Sequence, residues 1–138
     1  MLNRQDILAK KSLRRELIEI PEWGGTVYVR ELSAEERTQY EIERSDLVMG
    51  EQKDPKEKAK RFVDMRARGA VLGTINEDGT QMFLPDDVKT LNELSGSALD
   101  KISSAILTLS GYTTAERDRL KKTSNAVDDD SSLDLPLH

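Results

Sequence analysis

Cysteine is absent from this 138-residue sequence, and histidine occurs once, at position 138. Without cysteine there is no disulfide framework, no thiol nucleophile and no Cys-ligated zinc. A lone terminal histidine leaves no basis for a Ser-His-Asp triad or a His-based metal site. Aromatic residues make up only 4% and apolar residues 36%, so the expected core is small. No apolar run reaches the length of a membrane span. Residues 1–17 mix charge with apolar side chains and lack the apolar centre of a signal peptide, so the chain reads as soluble and cytosolic.

What the sequence has is charge. Charged residues are 34%, with 21 Lys+Arg against 26 Asp+Glu, a net of −5. Residues 123–138 hold no Lys or Arg and four aspartates, Asp128, Asp129, Asp130 and Asp134, leaving a net of −1 in residues 1–122. A nearly neutral body has no positive field for nucleic acid. The length fits one domain, able to bury about two-thirds of its unfolded surface.

Periodicity and turn chemistry divide the chain. Residues 3–12 suit a short, fraying helix. Residues 15–20 and 26–32 are β-rich runs around Pro21-Glu22-Trp23-Gly24-Gly25, which predicts an antiparallel hairpin with Val27 and Val29 on one face. Ser33 followed by Glu36 is a capping-box pattern opening a helix to about Met49. A second helix is expected from Lys56 to about Arg68-Gly69. Residues 70–75 and 80–84, joined through Asn76-Glu77-Asp78-Gly79, predict a second hairpin. Pro85-Asp86-Asp87 opens a short helix carrying Val88, Leu91 and Leu94. Ser97 is then the expected cap of the strongest amphipathic helix, whose stripe is Ala98, Leu99, Ile102, Ala105, Ile106 and Leu109, with Gly111 as its stop. The expected class is α+β: mostly helical, with two β-hairpins forming a small antiparallel sheet packed by helices. Four segments follow: an N-terminal helical segment 1–12, a body 13–111, a short charged helical turn 112–122, and a disordered acidic tail 123–138.

No motif carries chemistry. Asp86-Asp87 suits helix capping, and residues 76–79 lack the alternating ligands and terminal glutamate of a calcium loop. Neither Gly24-Gly25 nor Gly69 and Gly73 match a dinucleotide or P-loop pattern. The basic residues Lys56, Lys58, Lys60, Arg61, Arg66 and Arg68 are interrupted by Glu57 and Asp64, as on a solvated helix face. The expectation is a non-enzymatic binding or assembly protein that needs no cofactor and no metal. Trp23, Tyr40 and Met49 are the candidate partner-binding residues, being apolar positions outside the main stripe.

An ordered series of segments resembles the tail assembly chaperones of long-tailed bacteriophages, the group that includes the lambda tail assembly protein G. The series begins with Pro21-Glu22-Trp23-Gly24-Gly25-Thr26-Val27-Tyr28-Val29-Arg30-Glu31-Leu32-Ser33-Ala34-Glu35-Glu36-Arg37. It continues with Gly73-Thr74-Ile75-Asn76-Glu77-Asp78-Gly79 and with Met82-Phe83-Leu84-Pro85-Asp86-Asp87-Val88. It closes with the helix from Leu94-Ser95-Gly96-Ser97-Ala98-Leu99-Asp100-Lys101-Ile102 to Leu109-Ser110-Gly111. The resemblance covers residues 13–111. It implies a chaperone in the host cytoplasm that coats the tape measure protein, self-associates along it, and is absent from the mature virion. It also implies a longer, frameshifted product that recruits the tail tube protein; Leu120-Lys121-Lys122 is encodable by a slippery heptamer. Two alternatives compete with this reading: a structural virion component, such as a tail terminator or connector, and a small nucleic-acid-binding regulator, which the neutral body disfavours.

Overall fold

In the computed structural model, which describes residues 1–49, 54–112 and 115, the first hairpin forms as its sequence predicts. Strand β1 (Arg15–Ile20) pairs antiparallel with β2 (Gly25–Arg30), placing Leu17 opposite Tyr28 and Ile18 opposite Val27. The alternation turns Ile18, Ile20, Val27 and Val29 toward the core, and Ile20 and Val29 are fully buried. A 3-10 turn, Pro21–Trp23, joins the strands. Gly24 closes it at φ 67, a left-handed conformation that a side chain would resist, and its N–H donates to the Pro21 carbonyl at 3.1 Å. Ahead of the hairpin, α1 (Arg4–Leu8) is one short helix capped by Asn3 and Asp6 and buries none of its residues.

Helix α2 (Ala34–Met49) opens on the expected box. The Ser33 hydroxyl accepts from the Glu36 N–H at 3.2 Å, and the Glu36 carboxylate accepts from the Ser33 N–H at 2.9 Å. Arg30 forks onto the same carboxylate at 2.7 and 2.9 Å, tying the end of β2 to the helix start. Helix α3 (Pro55–Gly73) begins with Asp54 as its cap and Pro55 in the first turn.

The second hairpin is much shorter than its sequence suggested. Residues 70–73 finish α3 instead of starting a strand, because Ala67, Ala70 and Val71 continue one buried stripe at helical spacing. Gly69 does not stop that helix, although glycine costs a helix interior about 1 kcal/mol relative to alanine. Strand β3 is only Thr74–Ile75; it pairs with β2, and Ile75 makes an isolated bridge to Gln81. The sheet therefore has three strands in the order β1-β2-β3. The turn itself forms as expected: Gly79 sits at φ 91, and Asp78 accepts from the Thr80 N–H at 2.9 Å.

A second 3-10 turn, Pro85–Asp87, leads into α4 (Val88–Leu91). Asp87 accepts from the Leu84 N–H at 2.8 Å, which is the capping role expected there. Helix α5 (Gly96–Leu109) is capped by Ser95 rather than Ser97: the Ser95 hydroxyl accepts from the Ala98 N–H at 3.2 Å, while Ser97 is drawn to Glu22 on the first hairpin. At its other end, Gly111 at φ 94 donates to Thr108 and Tyr112 donates to Leu107, both at 3.1 Å, the paired bonds of a Schellman stop.

Packing centres on α5. Its residues Ala98, Leu99, Ile102 and Ile106 are buried between the inner face of the sheet and α3. The architecture is the expected α+β arrangement of helices on a small antiparallel sheet. The charged turn 112–122 and the acidic tail 123–138 lie outside the described residues, apart from Tyr112 and Ala115.

Helices α3 and α5 approach so closely at Gly73 that an added Cβ would stand 2.6 Å from Ile106 Cδ1, in overlap with a fully buried side chain. Gly73→Ala is therefore expected to lower unfolding stability by about 1–3 kcal/mol, the usual cost of overpacking. Gly69→Ala, whose Cβ would meet Tyr40 Cε1 at an ordinary 3.6 Å, serves as the tolerated control in urea unfolding.

Candidate partner-binding surface

The three residues singled out from the sequence occupy different environments. Tyr40 is in the core at 6% exposure, its ring lying over Gly69 of α3, and burial raises the pKa of its hydroxyl. Its distance in sequence from the α5 stripe made it look dispensable, yet α2 buries it, along with Leu47, in the core. Met49 closes α2, and its side chain is outside the described set. Trp23 meets solvent, at 39% exposure, on the turn between β1 and β2. Tyr40 and Trp23 are not brought together: one lies in the core and the other on the hairpin turn.

The Trp23 turn is fastened to α5. Glu22 accepts hydrogen bonds from the Lys101 ammonium at 2.7 and 2.8 Å and another from the Ser97 hydroxyl. Both partners lie in the first turns of α5, where the positive end of the helix dipole also favours a carboxylate. Lys101 and then Ser97 hold the Glu22 carboxyl at about 2, far below its ordinary value. Two adjacent positive-end donors thus fix one residue beside Trp23, and Gly24 fixes the other side of the turn.

The far end of α5 is clamped in the same manner. Arg14, just before β1, donates to the Leu109 carbonyl, and Arg37 of α2 donates to the Ser110 carbonyl at 2.8 Å. These cations meet the carbonyl end of the helix, where the dipole favours positive charge. The Leu32 N–H donates to the buried Ser110 hydroxyl at 2.9 Å, and the Arg37 guanidinium lies 4.2 Å from the centre of the Tyr112 ring.

Other large apolar side chains reach solvent at positions the sequence did not mark. Ile42 on α2, Val63 on α3, and Leu84 and Leu94 flanking α4 are all exposed, as are Leu2, Ile7 and Leu8 around α1. Ile42 carried a legible signal, since it falls two residues from Tyr40 and five from Leu47, off the buried stripe. Leu84 did not: it was counted as strand, and its exposure follows from residues 82–84 leaving the sheet.

Titratable groups are poised for structure. Glu36 is held down by the Arg30 guanidinium, and Asp78 by the Thr80 hydroxyl and N–H. Burial, with Glu41 nearby, pushes the Tyr112 hydroxyl up to about 12. Each shift moves its group further from neutrality, the reverse of what proton transfer near pH 7 requires. Among the described residues there is no cluster of three or more His, Cys, Asp or Glu side chains that could hold a metal ion. Among the same residues no helix is long and apolar enough to cross a membrane.

A family model described as phage tail assembly chaperone matches residues 3–123, a span that includes α1 as well as the body. No curated protein matches the chain. Among solved structures, the tail assembly chaperone of bacteriophage HK97 is similar in fold, with a TM-score of 0.54 at 21% identity over 70% of this chain and 85% of that one.

The Glu22 clamp has a pH signature. Its folded pKa lies below the ordinary 4.5, so its stabilisation is present above that value and is lost as pH falls from about 4.5 toward 2. Glu22→Gln is expected to be less stable than the parent chain at pH 7, with the two unfolding curves converging toward pH 2. Parallel curves across that window would show that the clamp does not contribute.

Proposed function

The chain belongs to the phage tail assembly chaperone family, and we propose that it acts without catalysis, by binding and shielding the tape measure protein while a phage tail is built. A long coiled-coil client exposes apolar surface until the tube forms around it, and a chaperone that covers this surface keeps it from aggregating. The observation on this molecule that supports a client-binding role is Trp23. It stands half-exposed on a turn anchored by Glu22 to Ser97 and Lys101, so the aromatic ring is offered to a partner with little ordering left to do. Met49 is kept as a second candidate contact. Tyr40 acts through stability, because its ring belongs to the core.

In this reading the protein works in the cytoplasm of the infected cell, as an oligomer along its client, and leaves before the virion is complete. A longer product, made by a ribosomal slip near Leu120-Lys121-Lys122, brings in the tail tube protein. Those residues, and the acidic tail that such a slip would replace, lie outside the described residues. The neutral body and acidic tail then acquire separate meanings: the body holds the client, and most of the net negative charge belongs to the shorter product alone.

Trp23→Ala is expected to leave the unfolding midpoint nearly unchanged and to weaken capture of co-expressed tape measure protein about tenfold or more, as loss of an aromatic anchor does. Undiminished capture would reject Trp23 as the anchor. Tyr40→Ala is expected to lose about 3 kcal/mol of stability or more, the range for emptying a buried aromatic site, so its effect on capture reports unfolding. Immunoblots against the body should show two products in infected-cell lysate and neither in purified particles. A band in the particles would favour the structural-component alternative, and a single product in lysate would remove the frameshift.

A further inference from the structure

The two ends of this chain carry opposite charge. Residues 1–15 hold five basic side chains, Arg4, Lys10, Lys11, Arg14 and Arg15, against Asp6, a net of +4. Residues 123–138 hold Asp128, Asp129, Asp130 and Asp134 and no Lys or Arg, a net of −4. Residues 16–122, with 16 basic against 21 acidic side chains, carry −5. Of these three parts, the N-terminal segment attracts an acidic stretch, while the net field of the body repels it.

The N-terminal segment is also apolar and uncovered. Residues 1–17 are all exposed, and α1 buries none of its side chains. Leu2, Ile7 and Leu8 are each more than half exposed, and Leu13 is exposed as well. Asp6 accepts from the Asn3 N–H at 3.1 Å, so it is engaged in its own cap. Among the described residues, Arg4, Lys10 and Lys11 take part in no ion pair. The tail has the matching composition, with Leu133, Leu135 and Leu137 following its aspartates. Helix α3 offers a rival basic group in Lys56, Lys58, Lys60 and Arg61, but Asp54, Glu57 and Asp64 are interleaved with it.

The fold brings the two ends to one place. Arg14, where the N-terminal segment joins β1, donates to the Leu109 carbonyl at the end of α5. Three residues further on, Tyr112 donates back to Leu107, and the continuous described chain ends there. Asp128 follows 16 residues after Tyr112, a stretch that can span about 50 Å when extended. Leu2 precedes Arg14 by 12 residues, at most about 40 Å away and less with α1 wound as a helix. Reach therefore does not limit contact between them.

We propose that the acidic tail, residues 123–138, docks on the N-terminal segment of the same chain. Its aspartates meet Arg4, Lys10 and Lys11, and its leucines cover Leu2, Ile7 and Leu8. One exposed ion pair would not hold it. Several charges and apolar side chains act together here, at an effective concentration on the order of millimolar set by the tether. The docking stands without the chaperone reading. Its consequence rests on that reading: the shorter product keeps its N-terminal segment covered, and a frameshifted product, which lacks this tail, presents it to a partner.

The experiment places a nitroxide on the full chain, whose lack of cysteine makes a single introduced thiol specific. A label at Gln5→Cys should broaden the amide signals of residues 128–137, and a label at Lys60→Cys on α3 should not. Raising salt from about 0.1 to 1 M, which shortens the screening length from about 10 to 3 Å, should weaken the broadening. Lys10→Glu with Lys11→Glu should reduce it at least about threefold, as like charges then face each other. Adding Asp128→Lys and Asp129→Lys to that variant should restore it. Because α1 buries nothing, the unfolding midpoint should stay unchanged throughout, and circular dichroism verifies the fold. Mixing labelled chain with isotope-enriched unlabelled chain separates contact within one chain from contact between copies. No broadening from the Gln5 label, equal broadening from the Lys60 label, charge swaps without effect, or broadening that carries over in the mixture would each overturn the docking. Tape measure capture is scored separately. A chain ending at Lys122 should capture at least about threefold more than the full chain, since a covered site lowers apparent affinity by the fraction covered. Equal capture by a chain whose tail docks would overturn the regulatory consequence alone. Capture by neither chain would overturn the chaperone reading alone.

Discussion

Burial of one helical stripe organises this molecule. Ala98, Leu99, Ile102 and Ile106 of α5 lie between the sheet and α3, which together cover them. With so few apolar residues, the chain cannot support a second core. The close passage of Gly73 beside Ile106 shows how tightly the cover is drawn. A hydrophobic contact of this kind has no preferred direction, however. Direction comes from the polar clamps at the two ends of α5.

Those clamps use the helix dipole with opposite signs. Glu22 meets the positive end through Ser97 and Lys101, while Arg14 and Arg37 meet the carbonyl end. Each clamp reaches a residue far away in sequence, so together they fix the hairpin and α2 against the same helix. Function inherits this arrangement. The group that fastens the first hairpin is adjacent to Trp23, so the exposed aromatic is held on a rigid base. Among the described residues, β1 is the outer strand of the sheet.

Local chemistry made much of the fold legible beforehand. Pro21 to Gly25 between two β-rich runs marked the first hairpin, Ser33 with Glu36 marked the start of α2, and the spacing of Leu99, Ile102 and Ile106 marked the core stripe. Each of these signals acts within a few residues of itself. The errors have one cause. Residues 70–75 are apolar and short, which suits either a strand or the end of a buried helix; α5, about thirty residues further on, decided in favour of the helix. Ser97 was a reasonable cap by local rules, but Glu22, distant in sequence, claimed its hydroxyl. Tyr40 looked dispensable because its partner surface on α3 cannot be inferred from α2 alone.

The sequence by itself determined the class of protein and the places where elements begin. Its lack of cysteine and its single histidine removed thiol and triad chemistry, and turn and cap residues set most boundaries through bonds between near neighbours. Tertiary structure alone decided which apolar residues were core and which were surface. Trp23 and Tyr40 are similar in kind, yet one faces solvent and the other lies over Gly69, because burial depends on what packs opposite and not on what lies adjacent in the chain. The same reason governs the edge at Leu17. Alternation showed that its side chain would share a face with Arg15 and Glu19, but only the strand order showed that β1 is the outer strand of the sheet among the described residues.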